Sequence, residues 1–358
     1  MRRFKTAVLA TMVLSGTFSI AFSQSTWTKQ TSGTTGILYS VAGTASQMVA
    51  VGASGIIRTS PDGITWTART SGTTNTLYSV TSMGSKWVVV GDRGTVVISS
   101  DGITWTASNP MTSYLRAVVW TGTRLVVVGD GGTVATSPDG ATWTPQASAS
   151  SAQFIGMTWT GSTSSPQAGA QLVAVGVGGA VMTSPDGITW TARTSGVTTD
   201  LGSVVWTGTQ LVAVGSAGVV RRSSDGITWT AGTSVPTAAL ASVAWTGSLL
   251  VTVGYMGLTQ TSPDGITWMG RTSGTTNSLT SVASTSTQLI AVGINGAILT
   301  SPKDPVAIAP HLRMRNSNMS CAFYDIAGEK LDLAGMKRSK AGGALGRPAS
   351  VVMFLDSR

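Results

Sequence analysis

Ser60-Pro61-Asp62-Gly63-Ile64-Thr65-Trp66 is the stretch on which the reading of the fold turns. The pattern S-x-D-G-x-T-W returns from Ser99, Ser137, Ser184, Ser223 and Ser262, six copies in all. Their tryptophans, Trp66, Trp105, Trp143, Trp190, Trp229 and Trp268, are spaced by 39, 38, 47, 39 and 39 residues. The long interval holds an extra segment, Ser162 to Ala170, which reads as a loop insertion. Upstream of each copy lies a second landmark, V-G-x-x-G, present seven times with its first glycine at Gly52, Gly91, Gly129, Gly176, Gly215, Gly254 and Gly293. Self-similarity at this period belongs to propellers, solenoids or arrays.

Each unit divides into four short β-rich runs. In the second unit these are Leu77 to Val80, Lys86 to Val90, Thr95 to Ser99 and Ile103 to Ala107. Gly-bounded and Asp-Gly turns separate them, which are strand and hairpin signals. Four strands in about 40 residues make one blade of a β-propeller. The first three strands occur seven times, but the last S-x-D-G-x-T-W turn fails at Ser301-Pro302-Lys303-Asp304. An orphan Ser25-Thr26-Trp27-Thr28 stands at the other end, with Trp27 lying 39 residues before Trp66. Ser25 to Lys29 is therefore expected to supply the fourth strand of the last blade. That would close a seven-bladed, all-β ring and remove the open sheet edge. The expected organisation is a leader over 1–23, the propeller over 24–302 and a basic tail over 303–358.

Composition removes much chemistry. The chain of 358 residues has one His, His311, one Cys, Cys321, and one Glu, Glu329, all in the tail. A His/Cys zinc site, a Ser-His-Asp triad and a Cys-His dyad cannot be assembled in the body. No metal and no cofactor is expected. The formal charge of +9 belongs mostly to the ends: residues 24–302 hold eleven Lys/Arg against nine Asp, a net +2. A nucleic-acid partner is not expected from so neutral a body. Met1 to Ser23 has Arg2, Arg3 and Lys5 before a short apolar run, then Ala21-Phe22-Ser23. This reads as a secretory signal peptide rather than a membrane span. The expected product is secreted or at the cell surface, with the periplasm a further possibility, monomeric and without a transmembrane segment in the mature chain.

The S-x-D-G-x-T-W turn resembles the Asp-box of bacterial neuraminidase repeats, with one residue fewer between Asp and Gly. The whole unit resembles propellers of the photosystem II stability/assembly factor-like and sortilin-like kinds, over roughly residues 25 to 302. The resemblance implies a fold more than a function, because such boxes occur in sialidases, receptors and assembly chaperones. The role expected of Asp62, Asp101, Asp139, Asp186, Asp225 and Asp264 is structural: each accepts hydrogen bonds from its turn. Each following glycine takes a left-handed conformation, and each box Trp packs between blades. A second set, Trp120, Trp159, Trp206 and Trp245, ends the first strand of the middle blades and is read as packing. Sialidase chemistry implies an arginine triad, a Tyr paired with a Glu and an Asp acid. With Glu329 in the tail, the Glu is missing from the body, and only Asp92, Asp130 and Asp200 stand outside the boxes. A non-enzyme is expected.

Binding is expected on the face of the V-G-x-x-G turns, whose two central residues vary while the scaffold does not. The side chains there that can recognise a ligand are Asp92, Arg93, Asp130, Tyr255 and Asn295, with Arg116 near a strand start on the same face. The expected partner is a protein or a glycan. An assembly-factor-like chaperone is the alternative, and a sialidase-like hydrolase the lesser one. In the tail, Phe323-Tyr324-Asp325-Ile326-Ala327-Gly328-Glu329-Lys330-Leu331 resembles the hairpin of type IX secretion sorting domains. The closing strand of such a domain is not evident in the sequence, and a disordered basic tail is the other reading.

Overall fold

The computed structural model describes residues 26–161, 169–233 and 238–303, together with the backbone of Cys321–Tyr324, Lys330–Leu331 and Val352–Leu355. The expected leader lies outside the described residues, as does 162–168 of the insertion. The chain forms two compact units, one spanning Ser23–Val306 and the other drawn from the two ends.

The larger unit consists of seven antiparallel sheets of four strands. The innermost strands, one per blade, are Leu38–Gly43, Leu77–Met83, Leu115–Trp120, Phe154–Trp159, Leu201–Trp206, Leu240–Trp245 and Leu279–Ser284. Second strands such as Met48–Gly52 are buried at every residue, because both faces of a blade meet a neighbouring blade. This is why they read as continuous Val/Ala runs rather than alternating ones. The seventh blade takes its outer strand from the other end of the chain: Thr28 pairs with Thr300, Lys29 with Leu299 and Gln30 with Ile298. The Gln30 amide adds a 2.8 Å bond to the Thr300 hydroxyl. The strand runs over Thr28–Gln30, slightly later than the sequence places it. Trp27, just before it, packs into the seam between blades six and seven.

The repeated turn works as its residues dictate. Ser60 Oγ accepts the Gly63 N–H at 2.8 Å and donates to Asp62 Oδ1 at 3.0 Å. Asp62 Oδ1 accepts the N–H groups of Ile64 and Thr65, both at 2.8 Å. Gly63 sits at φ 78°, where an L side chain is strained. The Trp66 indole N–H donates to the Gly63 carbonyl at 2.9 Å, and its ring fills the seam between blades seven and one, against Leu38, Ile290 and Ile298. The backbone donors hold the carboxyls of Asp62, Asp101, Asp139 and Asp225 below the ordinary carboxylate range. Trp105, Trp190 and Trp229 are buried in the same way, whereas Trp143 and Trp268 are half-buried. Trp268 is the one box tryptophan whose indole N–H finds no partner.

A second device joins the blades. At the start of the second strand of four blades stands a Gln whose amide donates to the carbonyl of the turn Asp in the next blade. Gln47 reaches Asp101, Gln171 Asp225, Gln210 Asp264 and Gln288 Asp62, at 3.4, 2.6, 3.1 and 2.7 Å. The sixth blade has a buried Leu249 there, and the seventh blade, its target, has no box turn to reach.

In the smaller unit, Cys321–Tyr324 pairs antiparallel with Lys330–Leu331 and with Val352–Leu355. The hairpin expected around Tyr324-Asp325 is present. A third strand, Val352–Leu355, was not evident from the sequence. The rest of the tail, and with it the sorting-domain reading, lies outside the described residues.

Candidate functional site: the mouth of the central channel

Every innermost strand carries the same irregularity near its start. Pairing with the second strand skips one residue between Leu38 and Ser40, Leu77 and Ser79, Leu115 and Ala117, Phe154 and Gly156, Leu201 and Ser203, Leu240 and Ser242, and Leu279 and Ser281. A bulge of this kind releases one residue from the ladder and re-aims its side chain. The released residues are Tyr39, Tyr78, Arg116, Ile155, Gly202, Ala241 and Thr280. All seven line a cavity of about 480 Å3 whose walls come from the inner strands of every blade, so it is the axial channel. The residue before each bulge pairs with the first glycine of a V-G-x-x-G turn, as Leu38 does with Gly52. The mouth therefore opens on the face expected from the sequence.

The ring is lopsided. Blades one to four contribute Tyr39, Tyr78, Arg116 and Ile155, whereas blades five to seven contribute Gly202, Ala241 and Thr280. The large side chains form a packed wall. The rings of Tyr39 and Tyr78 meet edge to face with centroids 5.3 Å apart. The Arg116 guanidinium lies over Tyr78 at 4.2 Å and near Tyr114 at 5.4 Å. It forms a two-pronged pair with Asp130, Nε to Oδ1 at 2.8 Å and the terminal nitrogen to Oδ2 at 2.9 Å. The Gln153 amide donates to Asp130 Oδ1 at 2.7 Å. The bond to Asp130 raises the Arg116 pKa further, and Arg116 holds the Asp130 carboxyl below the carboxylate range. Burial, then the facing Asp92 carboxylate, pushes the Tyr78 hydroxyl upward. At neutral pH the wall holds fixed charges and a neutral phenol.

The structure brings together part of the predicted set. Arg116 and Asp130 are in contact, and Asp92 faces Tyr78 beside them. Arg93 stands exposed at a turn tip with φ 53°, a left-handed conformation uncommon for a side-chain-bearing residue. Tyr255 is 59% exposed, beside Met256, on a separate rim groove of the sixth blade that Arg271 and Asn277 also line. Asn295, on the seventh, donates to Asn277 at 3.1 Å. Asp200 serves as a brace, accepting the Gly178 N–H at 2.8 Å. Trp120, Trp159, Trp206 and Trp245 are half-buried against seam clusters. The sequence reading missed Tyr39, Tyr78 and Gln153. Aligning the seven repeats would have exposed the first two, since the column after the opening Leu or Phe varies beside constant neighbours.

Seven blades, an N-terminal closing strand and a lopsided channel mouth define a seven-bladed β-propeller. No protein-family model matches the chain, and no curated protein matches it. Among solved structures it is similar to YCF48 bound to D1 peptide, with 17% identity and a TM-score of 0.64 over 80% of this chain and 100% of that one. It is also similar to YCF48 from Cyanidioschyzon merolae, with 15% identity and a TM-score of 0.61 over 77% and 98% of the two chains. At these identities the likeness is one of fold.

Proposed function

We propose that this chain is a non-catalytic propeller that holds a segment of a partner protein at its channel mouth, an assembly-factor-like role carried out after export. The single observation that carries the reading is the one-sided mouth, a Tyr39–Tyr78–Arg116 wall facing the small residues of blades five to seven. A symmetric ring has no preferred seat, whereas a wall and an opening give a ligand one orientation. The similar YCF48 fold is known bound to a peptide, which favours a protein segment over a glycan. The leader-like residues 1–23 support export. The lack of any Glu between 24 and 302 supports a binding role rather than a hydrolytic one. The test is affinity capture of exported proteins on the full chain and its variants. Tyr78→Ala is expected to lose the captured partner with its melting temperature retained. Capture that survives Tyr78→Ala but fails with Ile103→Ala and Ile227→Ala, on the opposite face, overturns the assignment.

A further inference from the structure

Most of the polar side chains that line the mouth already have partners within the protein. Arg116 is committed to Asp130 by two nitrogens, and Asp130 is shared with Gln153. The hydroxyl oxygens of Ser79, Ser203, Ser242 and Ser281 accept backbone N–H groups of the next blade, from Val118, Val243, Val282 and Val41. The Thr280 hydroxyl donates to the Leu38 carbonyl across the closing seam. What remains for a ligand is mainly π and apolar surface: the rings of Tyr39 and Tyr78, the flat guanidinium stacked on Tyr78, and Ile155 and Met157 beyond. Gly202 and Ala241 leave the opposite side open.

Resting on the reading above, we infer that the mouth is a seat for an uncharged aromatic side chain presented by the partner protein. An entering carboxylate would shed water and find Arg116 already neutralised, a cost without a compensating bond. A sugar's several hydroxyls would need matching acceptors, and the serine oxygens and the Asp130 carboxylate already receive N–H donors. An aromatic ring asks for neither. It gains edge or face contacts with two tyrosines and a guanidinium, and the space over Gly202 gives it depth.

Gly202 provides a clean plug. A Cβ built there meets only the Ala241 and Leu240 carbonyl oxygens, at 3.4 and 3.8 Å, both ordinary contacts. A side chain can therefore start at Gly202 without a backbone clash, and Gly202→Phe is expected to fill the open side of the seat. The experiment selects phage-displayed random peptides on the full chain and measures the enriched peptides against wild type and Gly202→Phe. Melting curves confirm that the variant is folded. Expected are peptides sharing a Trp, Tyr or Phe, weakened at least about tenfold by Gly202→Phe, as for a lost hot spot. Their affinity should be nearly constant between about 0.05 and about 0.5 M salt, because no charge is exchanged. Peptides rich in Asp and Glu, sensitive to salt yet still blocked by the plug, overturn the aromatic seat while leaving the mouth as the binding site. Peptides indifferent to the plug overturn the mouth as well. Failure to enrich any peptide, with glycan-array binding that the plug abolishes, replaces the protein segment by a sugar.

Discussion

Replacing Trp66 by Ala tests whether the repeated turn is a seam-packing device or a self-contained turn. Trp66 is 9% exposed and touches apolar residues of both blade seven and blade one. A tryptophan hides about 200 Å2, and at about 25 cal/mol per Å2 its removal forfeits about 5 kcal/mol before any relaxation. Partial collapse of the seam brings the expected loss to about 3–5 kcal/mol. Asp62→Ala removes the acceptor of the Ile64 and Thr65 N–H groups, but those groups turn to water, so the expected loss is only about 1 kcal/mol. Urea unfolding followed by circular dichroism reads both variants, with coincident far- and near-ultraviolet transitions as the check on two-state behaviour. In a scanning experiment the tryptophan variant should melt roughly 10 °C lower, given about 2–4 °C per kcal/mol for a large domain. Equal losses for the two variants, or a loss below about 1 kcal/mol for Trp66→Ala, would refute the seam-packing account.

Other expected outcomes follow from the same geometry. Deleting Gln24 to Lys29 removes Trp27 and most of the closing strand, so an unaltered melting curve would contradict closure by that strand. Gln288→Leu should cost about 1 kcal/mol through its lost bond to the Asp62 carbonyl, whereas Leu249→Gln should gain nothing, because the seventh blade lacks the turn; a stabilised Leu249→Gln would disprove the latch. Arg93→Gly should raise stability by up to about 1 kcal/mol, since glycine relieves the left-handed conformation at φ 53°, and a lowered melting temperature would show that Arg93 makes a stabilising contact. The carboxyls of Asp62, Asp101, Asp139 and Asp225 titrate below their unfolded value of 3.8, so their contribution is complete above that pH and is lost as pH falls through the lower folded values. Melting temperature should therefore fall below about pH 4, and a level profile down to about pH 3 would count against these bonds.

The fold was legible because its decisive chemistry is local. Ser60, Asp62 and Gly63 settle their turn among themselves, and Trp27 declares the missing strand by keeping the spacing of its six counterparts. The site was legible only where one blade supplies both partners, as with Arg116 and Asp130. Tyr39 and Tyr78 stand 39 residues apart and meet because two bulged strands lie side by side around an axis, which turn chemistry does not reveal. The glutamine latches were hidden for the same reason: Gln171 and Asp225 are joined over 54 positions by the ring, with no pattern in either local stretch. Turn-tip variability, by contrast, pointed to Tyr255 and Asn295, which the structure places on the rim of blades six and seven, outside the set of side chains that lines the channel mouth.

The seventh blade is finished by residues 270 positions apart, as the Gln30–Thr300 bond shows. Its consequence is one of timing. Loop closure over such a distance is paid for before any contact across it is rewarded, so this pairing belongs to the slowest stage of folding. Tyr39 of the first blade adjoins the same joint, where Thr280 of the seventh bonds to the Leu38 carbonyl. A chain still open at that joint keeps the Tyr39–Tyr78–Arg116 wall but lacks the closed channel that Thr280 completes beside Tyr39. Ligand binding thus reports that the ring has locked, and a bound partner holds it shut by mass action.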